Sequence, residues 1–271
     1  MNKFLDLDRV IKTKSPKLHK WMPGFLLRYI KKIVHQDEIN AHMLKHKDKK
    51  DVAFCKATIK DFEIKVTSKG LENIPKEGGF FFVGNHPLGG FDALAIAQEV
   101  HSVRPDIKFI VNDLLLNIDN LKTMFHGVNK HGKTARESIR QVTELFKSDY
   151  PVFIFPAGLV SRKKKGVIRD LEWQKTFVSQ AKRNKKMVVP VYTEGRLSNF
   201  FYRLSNLREF LGIKSNIEMM YLSDELYKQR GQTISIVFGK PIPYETFNKS
   251  KNDKKWAEWV KNKLYLLKKQ L

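Results

Sequence analysis

His86 and Asp92 are the residues whose types and spacing point most directly to chemistry. They lie in the run Phe80-Phe81-Phe82-Val83-Gly84-Asn85-His86-Pro87-Leu88-Gly89-Gly90-Phe91-Asp92. A histidine held by a carboxylate makes a general base. The carboxylate accepts one ring N–H, which fixes the tautomer, and it stabilises the imidazolium formed when the other nitrogen takes a proton. The plainer alternative is that Asp92 only caps a helix and His86 only fills a turn, and the residues alone leave both readings open.

The flanking segments are suited to bringing the pair together. Phe80–Val83 is a short apolar run between Gly79 and Gly84-Asn85, the pattern of a buried strand. Leu94, Ile96 and Ala97 follow among good helix formers, so a helix is expected from near Asp92, a favoured residue at a helix start. The Pro87-Leu88-Gly89-Gly90 loop between them has little bulk, so a ligand can approach its backbone closely.

Composition narrows the partners. The chain has 271 residues, enough for one domain or one domain with a helical appendage, and a formal net charge of +23. That excess predicts an acidic partner: nucleic acid, an anionic membrane or an acidic protein. A single cysteine, Cys55, excludes an internal disulfide framework, fits a reducing compartment and reads as a small core residue. Met1–Lys14 mixes charges without the apolar core of a signal peptide, and no apolar run approaches the roughly 18 residues needed to span a bilayer. Any contact with a membrane is therefore expected at its surface. His42 and His46 stand one helical turn apart but lack an acidic surround, so no metal site is expected.

Residues 1–50 read as a basic helical segment, with Phe25, Leu26, Tyr29, Ile30 and Ile33 opposite Arg28, Lys31 and Lys32. Such a stripe either packs on the rest of the chain or lies in a membrane interface. Residues 51–271 read as the main domain. Strands are expected at Phe62–Val66, Phe80–Val83, Ile107–Val111, Met187–Tyr192 and Ile234–Gly239, Pro151–Gly158 reads as a strand running into a tight turn, and a helix is expected over Asp170–Arg183. Residues 253–271 form a C-terminal amphipathic helix with Trp256, Trp259, Val260, Leu264 and Leu267 on one face, again open to docking or membrane contact. The alternation predicts an α/β fold, a mostly parallel or mixed central sheet flanked by helices, with an N-terminal helical segment.

Asn85-His86-Pro87, Gly89-Gly90 and Asp92 resemble the catalytic block of the glycerolipid acyltransferase superfamily, the lysophosphatidate acyltransferase-like enzymes. Here five residues separate His86 from Asp92, one more than the common pattern. That form resembles a hemolysin-like branch that includes lyso-ornithine-lipid acyltransferases. Gly70–Pro75 is similar to the family's lead-in. Val128-Asn129-Lys130, with Lys133 and Arg136, stands where a second block meets the acceptor. Phe155-Pro156-Ala157-Gly158 resembles the third block, with Ala157 in place of the usual glutamate. Val189-Pro190-Val191 resembles the fourth, which lines the acyl channel.

The resemblance implies acyl transfer from an acyl thioester to the hydroxyl of a membrane lyso-lipid, most naturally a lyso-amino-acid lipid. His86 would be general base, with Asp92 orienting it beside an apolar groove. Asn85, Gly89, Gly90, Lys130, Arg136, Phe155, Pro156, Gly158 and Arg162 would contact substrate, with backbone N–H groups near Gly89, Gly90 or Gly158 facing the oxyanion. No cofactor is implied beyond acyl carrier protein or coenzyme A as donor. The implied partners are that donor, the lyso-lipid and an anionic membrane, at its cytoplasmic face. Lysophosphatidate acylation is the alternative acceptor chemistry. A nucleic-acid-binding module and a hydrolase that activates water are alternatives of other classes; no zinc-finger, RNA-recognition or helix-turn-helix signature is present, so nucleic acid is not the expected partner.

Overall fold

The computed structural model describes residues 4–112, 115–127 and 135–271, without the side chains of Lys14, Leu18, Ala135 and Arg136. The helices are α1 (Leu7–Lys14), α2 (Pro16–Trp21), α3 (Gly24–Ile33), α4 (Gln36–Lys45), α5 (Asp51–Asp61), α6 (Gly90–Val100), α7 (Ala135–Lys147), α8 (Thr176–Asn184), α9 (Asn199–Phe210), α10 (Leu222–Tyr227) and α11 (Asp253–Leu266). The strands are β1 (Lys65–Lys69), β2 (Phe81–Gly84), β3 (Lys108–Val111), β4 (Phe125–Gly127), β5 (Val152–Ile154), β6 (Arg162–Lys164), β7 (Val167–Arg169), β8 (Val188–Thr193) and β9 (Thr233–Phe238). They group into two compact units, residues 1–49 with 197–230 and residues 50–196 with 231–271. Residues 197–230 thus cluster with the N-terminal helices, whereas the sequence placed them in a continuous domain over 51–271.

The larger unit holds a seven-stranded sheet in the order β1-β9-β8-β2-β5-β3-β4. Its neighbours pair in parallel except β8 and β9, so the sheet is mixed but mostly parallel. β2 occupies the centre. Every residue of β2 is buried, as expected of a strand covered on both faces. Alternate side chains leave opposite faces. Phe81 meets Phe146 of α7 edge-on at 5.4 Å, in a core shared with Trp173, Phe177, Trp256 and Val260. Phe82 stacks on Phe153 of β5 at 5.9 Å and meets Phe238 of β9. Gly84 ends the strand where a side chain has no room, since a Cβ would lie 2.5 Å from the Phe153 ring. Phe82→Ala is expected to lower unfolding free energy by about 3–5 kcal/mol, read from the urea midpoint, because no neighbour can fill the ring's volume.

α11 docks rather than remaining open. Trp256, Val260 and Leu264 are buried in the sheet core, which decides between the two roles the sequence allowed for residues 253–271. Asn252 caps this helix by accepting the Lys255 N–H at 2.9 Å.

Some elements differ from expectation. The strand expected at Phe62–Val66 runs over Lys65–Lys69, paired with β9. The helix expected over Asp170–Arg183 begins only at Thr176. β4 falls in a stretch for which no element was expected. Lys163-Lys164-Lys165 belongs to the β6–β7 hairpin, whose turn residues Lys165 (φ 49°) and Gly166 (φ 80°) are both left-handed, the geometry of a two-residue hairpin turn.

In the smaller unit, residues 1–49 join 197–230 through side chains of several helices. His35 stacks on Tyr227 at 4.0 Å and bonds Asp224 at 3.1 Å, and the Tyr29 and Tyr221 hydroxyls meet at 2.9 Å. His42 and His46 pack edge-on at 4.8 Å. No helix among the described residues is long and apolar enough to cross a membrane.

Candidate active site

β2 delivers His86 to the C-terminal end of the central strand, where ligands of open α/β sheets gather. α6 starts at Gly90 and carries Asp92 in its first turn. Gly89 caps this helix at φ 69° and ψ −129°, a conformation that glycine adopts readily and other residues do not. The turn folds the chain back so that His86 Nδ1 lies 2.9 Å from Asp92 Oδ2, and the same oxygen accepts the Leu88 N–H at 2.9 Å. Asp92 is fully buried, whereas the His86 side chain is 20% exposed. The carboxylate therefore grips Nδ1 from inside, and the ring's outer edge faces out.

Burial pushes the Asp92 carboxyl above the usual range. The His86 contact and the Leu88 N–H oppose that rise, and the charge of Asp170 adds to it. Asp92 Oδ1 has no hydrogen-bond partner among the described residues. The arrangement is a buried base-orienting carboxylate, costly to ionise and relieved by a positive ring beside it.

Phe155 reinforces the ring's pose by stacking on it at 4.1 Å and 28°. Beneath it lies a residue that sequence reasoning missed. Asp170 accepts the His86 backbone N–H at 3.1 Å, the Ser161 hydroxyl at 2.5 Å and the Trp173 indole N–H at 2.9 Å. Its own N–H donates to the Tyr265 hydroxyl at 2.8 Å, and the Ser161 N–H donates to the His86 carbonyl at 2.8 Å. Asp170 thereby ties the histidine to the strand leading into β6, to Trp173 and to α11. In the sequence, Asp170 stands only as the first residue of the helix expected over Asp170–Arg183. Asp170→Ala strands three donors at once, those of Ser161 and Trp173 buried, and is expected to cost about 3–5 kcal/mol of stability, measured by chemical denaturation.

The remaining expected site residues divide. Asn85 is buried, and its amide is committed to β8: it donates to the Thr193 carbonyl and accepts the Thr193 N–H, both at 2.8 Å. It extends the β2–β8 ladder past Gly84 rather than facing a substrate. Gly89 and Gly90 form the turn and first helical position beside the pair. Pro156 is buried and its carbonyl accepts the Gln174 N–H. The Gly158 N–H closes a turn onto the Phe155 carbonyl at 3.0 Å, so it is not available to an oxyanion in this conformation. Arg162 is 2% exposed and donates to the Val160 carbonyl at 2.6 Å. Lys130, Lys133 and the side chain of Arg136 lie outside the described residues.

Cys55 is buried and its thiol is pushed up to about 12 by burial, which leaves it inert as a nucleophile at neutral pH. A cleft of about 1050 Å³ opens between Trp173, Lys182, Phe247 and Asp253, and neither His86 nor Asp92 lines it, so it is not the apolar groove expected beside the pair.

A mostly parallel α/β sheet with a histidine–carboxylate pair at the end of its central strand is an architecture suited to acid–base chemistry. Residues 9–271 match the acyltransferase family, and the chain belongs to that family, within the glycerolipid acyltransferase superfamily. It is 48% identical over 264 residues to a lyso-glycine lipid O-acyltransferase of Bacteroides thetaiotaomicron, covering 97% of each chain. It is 43% identical to a lyso-glycine lipid O-acyltransferase of Phocaeicola vulgatus, covering 97% of this chain and 95% of that one. Among solved structures, the 1-acyl-sn-glycerophosphate (LPA) acyltransferase PlsC from Thermotoga maritima is 19% identical with a TM-score of 0.46, over 78% of this chain and 79% of that one. The chain is an O-acyltransferase by this membership.

Proposed function

We propose that the protein moves a fatty acyl group from an acyl thioester, of acyl carrier protein or coenzyme A, to the hydroxyl of a lyso-amino-acid lipid. The acceptor is of the lyso-glycine lipid kind named for its relatives rather than a lyso-ornithine lipid. The observation that carries this reading is the 2.9 Å contact between the His86 ring and the buried Asp92 carboxylate. His86 takes the acceptor hydroxyl proton on its outer nitrogen while Asp92 holds the inner one. The oxygen attacks the thioester carbonyl, the C–S bond breaks, and the proton passes to the departing thiolate. The products are an ester and a free thiol, with no acyl-enzyme. The first N–H groups of α6, at Gly90 and Phe91, lack partners within the helix and suit the developing oxyanion. Lys130, Arg136 and Arg162 are the proposed cationic contacts for the acceptor's anionic head.

The site is reached from the cytoplasmic face of an anionic membrane, to which the net charge of +23 draws the protein. Incubation with an acyl thioester and purified lyso-glycine lipid, followed by lipid mass spectrometry, is expected to yield the O-acylated lipid. Release of free fatty acid with no acylated lipid would favour a hydrolase instead and contradict the proposal.

A further inference from the structure

α9 turns an apolar stripe to solvent. Phe200, Leu207, Phe210 and Leu211 fall on one side of this helix by their spacing and all are exposed, Phe210 to 87% and Leu211 to 58%. Ile213 and Ile217 continue the stripe through a following turn in which every residue from Glu209 to Ile217 is exposed. Apolar surface concentrated in this way marks an interaction site. The turn is held from beneath. Arg208 and the fully buried Glu218 form an ion pair at 2.9 Å across its two ends, and the Arg208 guanidinium also donates to the Ile213 carbonyl at 2.8 Å. A buried ion pair gains little net stability, so its consequence here is a fixed conformation that keeps these side chains outside.

We propose that this stripe is a membrane-inserting surface whose occupant is a bilayer containing anionic lipid. The proposal rests on the lipid-acceptor reading above, since an enzyme of lyso-lipids meets them at a bilayer. Charge supports that occupant. Arg203 and Lys214 are exposed along the same stretch, while its acidic residue, Glu209, lies 3.6 Å from Arg208. Apolar side chains flanked by cations suit the boundary between headgroups and acyl chains. A second copy is less suitable, because a two-fold contact through this stripe brings like charges together. The surface also continues beyond α9. Phe200 meets Tyr221 edge-on at 4.9 Å, and Tyr221 bonds Tyr29 of α3, which with Phe25 is itself exposed.

The test is flotation of the full chain with phosphatidylcholine vesicles containing phosphatidylglycerol, with no acyl donor or acceptor present. Phe210→Ser with Leu211→Ser is expected to reduce vesicle partition at least about tenfold with an unchanged melting temperature, because both residues are exposed. In Phe210→Trp, the new indole's emission is expected to shift to the blue on vesicles. Four outcomes would overturn the proposal: no vesicle binding by the unaltered chain, equal partition by the double variant, loss of binding confined to Phe25→Ser, or a dimer that dissociates in the double variant. Because binding is read without turnover, a failure of acyl transfer alone leaves this result standing and counts only against the functional reading.

Discussion

His86→Ala is expected to lower acyl transfer about a hundred- to ten-thousandfold, the range that a positioned general base contributes. The expectation follows from the ring's location. It is gripped at Nδ1 by Asp92, stacked by Phe155 and exposed at its other edge, and no neighbouring described side chain is poised to replace it. Cys55 lies buried in the core and cannot offer a covalent route. The variant should keep its fold, checked by circular dichroism, since the histidine's backbone contacts to Asp170 and Ser161 do not involve the ring. Steady-state kinetics should show the loss mainly in kcat, because the proton transfer belongs to the transition state.

Asp92→Asn should separate activity from stability. An asparagine oxygen in the place of Oδ2 keeps the bonds to the His86 ring and the Leu88 N–H, so the geometry survives while the charge that supports the imidazolium is lost. Transfer is expected to fall about a hundred- to a thousandfold. Stability moves the other way. A carboxyl whose folded pKa is raised above its unfolded value of about 3.9 contributes stability that is complete below that value and lost as pH rises through the folded one. Asp92 is such a group, raised by burial, so the wild-type chain loses that contribution as pH rises through the folded value. Asparagine does not ionise and gives up nothing. The melting temperature of the variant relative to wild type is therefore expected to rise as pH increases from about 4. A difference that shrinks as pH rises would contradict the assigned cost of the buried charge.

The path from sequence to site was direct where local chemistry and tertiary packing agree. Phe80–Val83 has no face for water, so it had to lie in the middle of the sheet, and the glycines after it leave a single sharp route into α6. The same logic identified the other buried strands. Legibility failed where long-range partners decide the outcome. Asp170 was read as the start of a helix because nothing local reveals that its acceptors are the donors of His86, Ser161 and Trp173. Asn85 sits in the motif, yet its amide is spent on Thr193, more than a hundred residues away in the chain. The β6–β7 hairpin is lysine-rich and lacks apolar alternation, so only Gly166 hinted at its turn. Residues 197–230 join the N-terminal helices through contacts such as His35 with Tyr227, which no periodicity announces.

The central claim is that His86 and Asp92 act as one unit, and a double-mutant cycle on acyl transfer tests it most directly. Rates for wild type, His86→Ala, Asp92→Asn and the double variant should be measured with the same acyl thioester and lyso-glycine lipid. The expected result is that Asp92→Asn costs nothing further once the imidazole is gone, so the double variant matches His86→Ala. Losses that multiply, as for two independent residues, would contradict it.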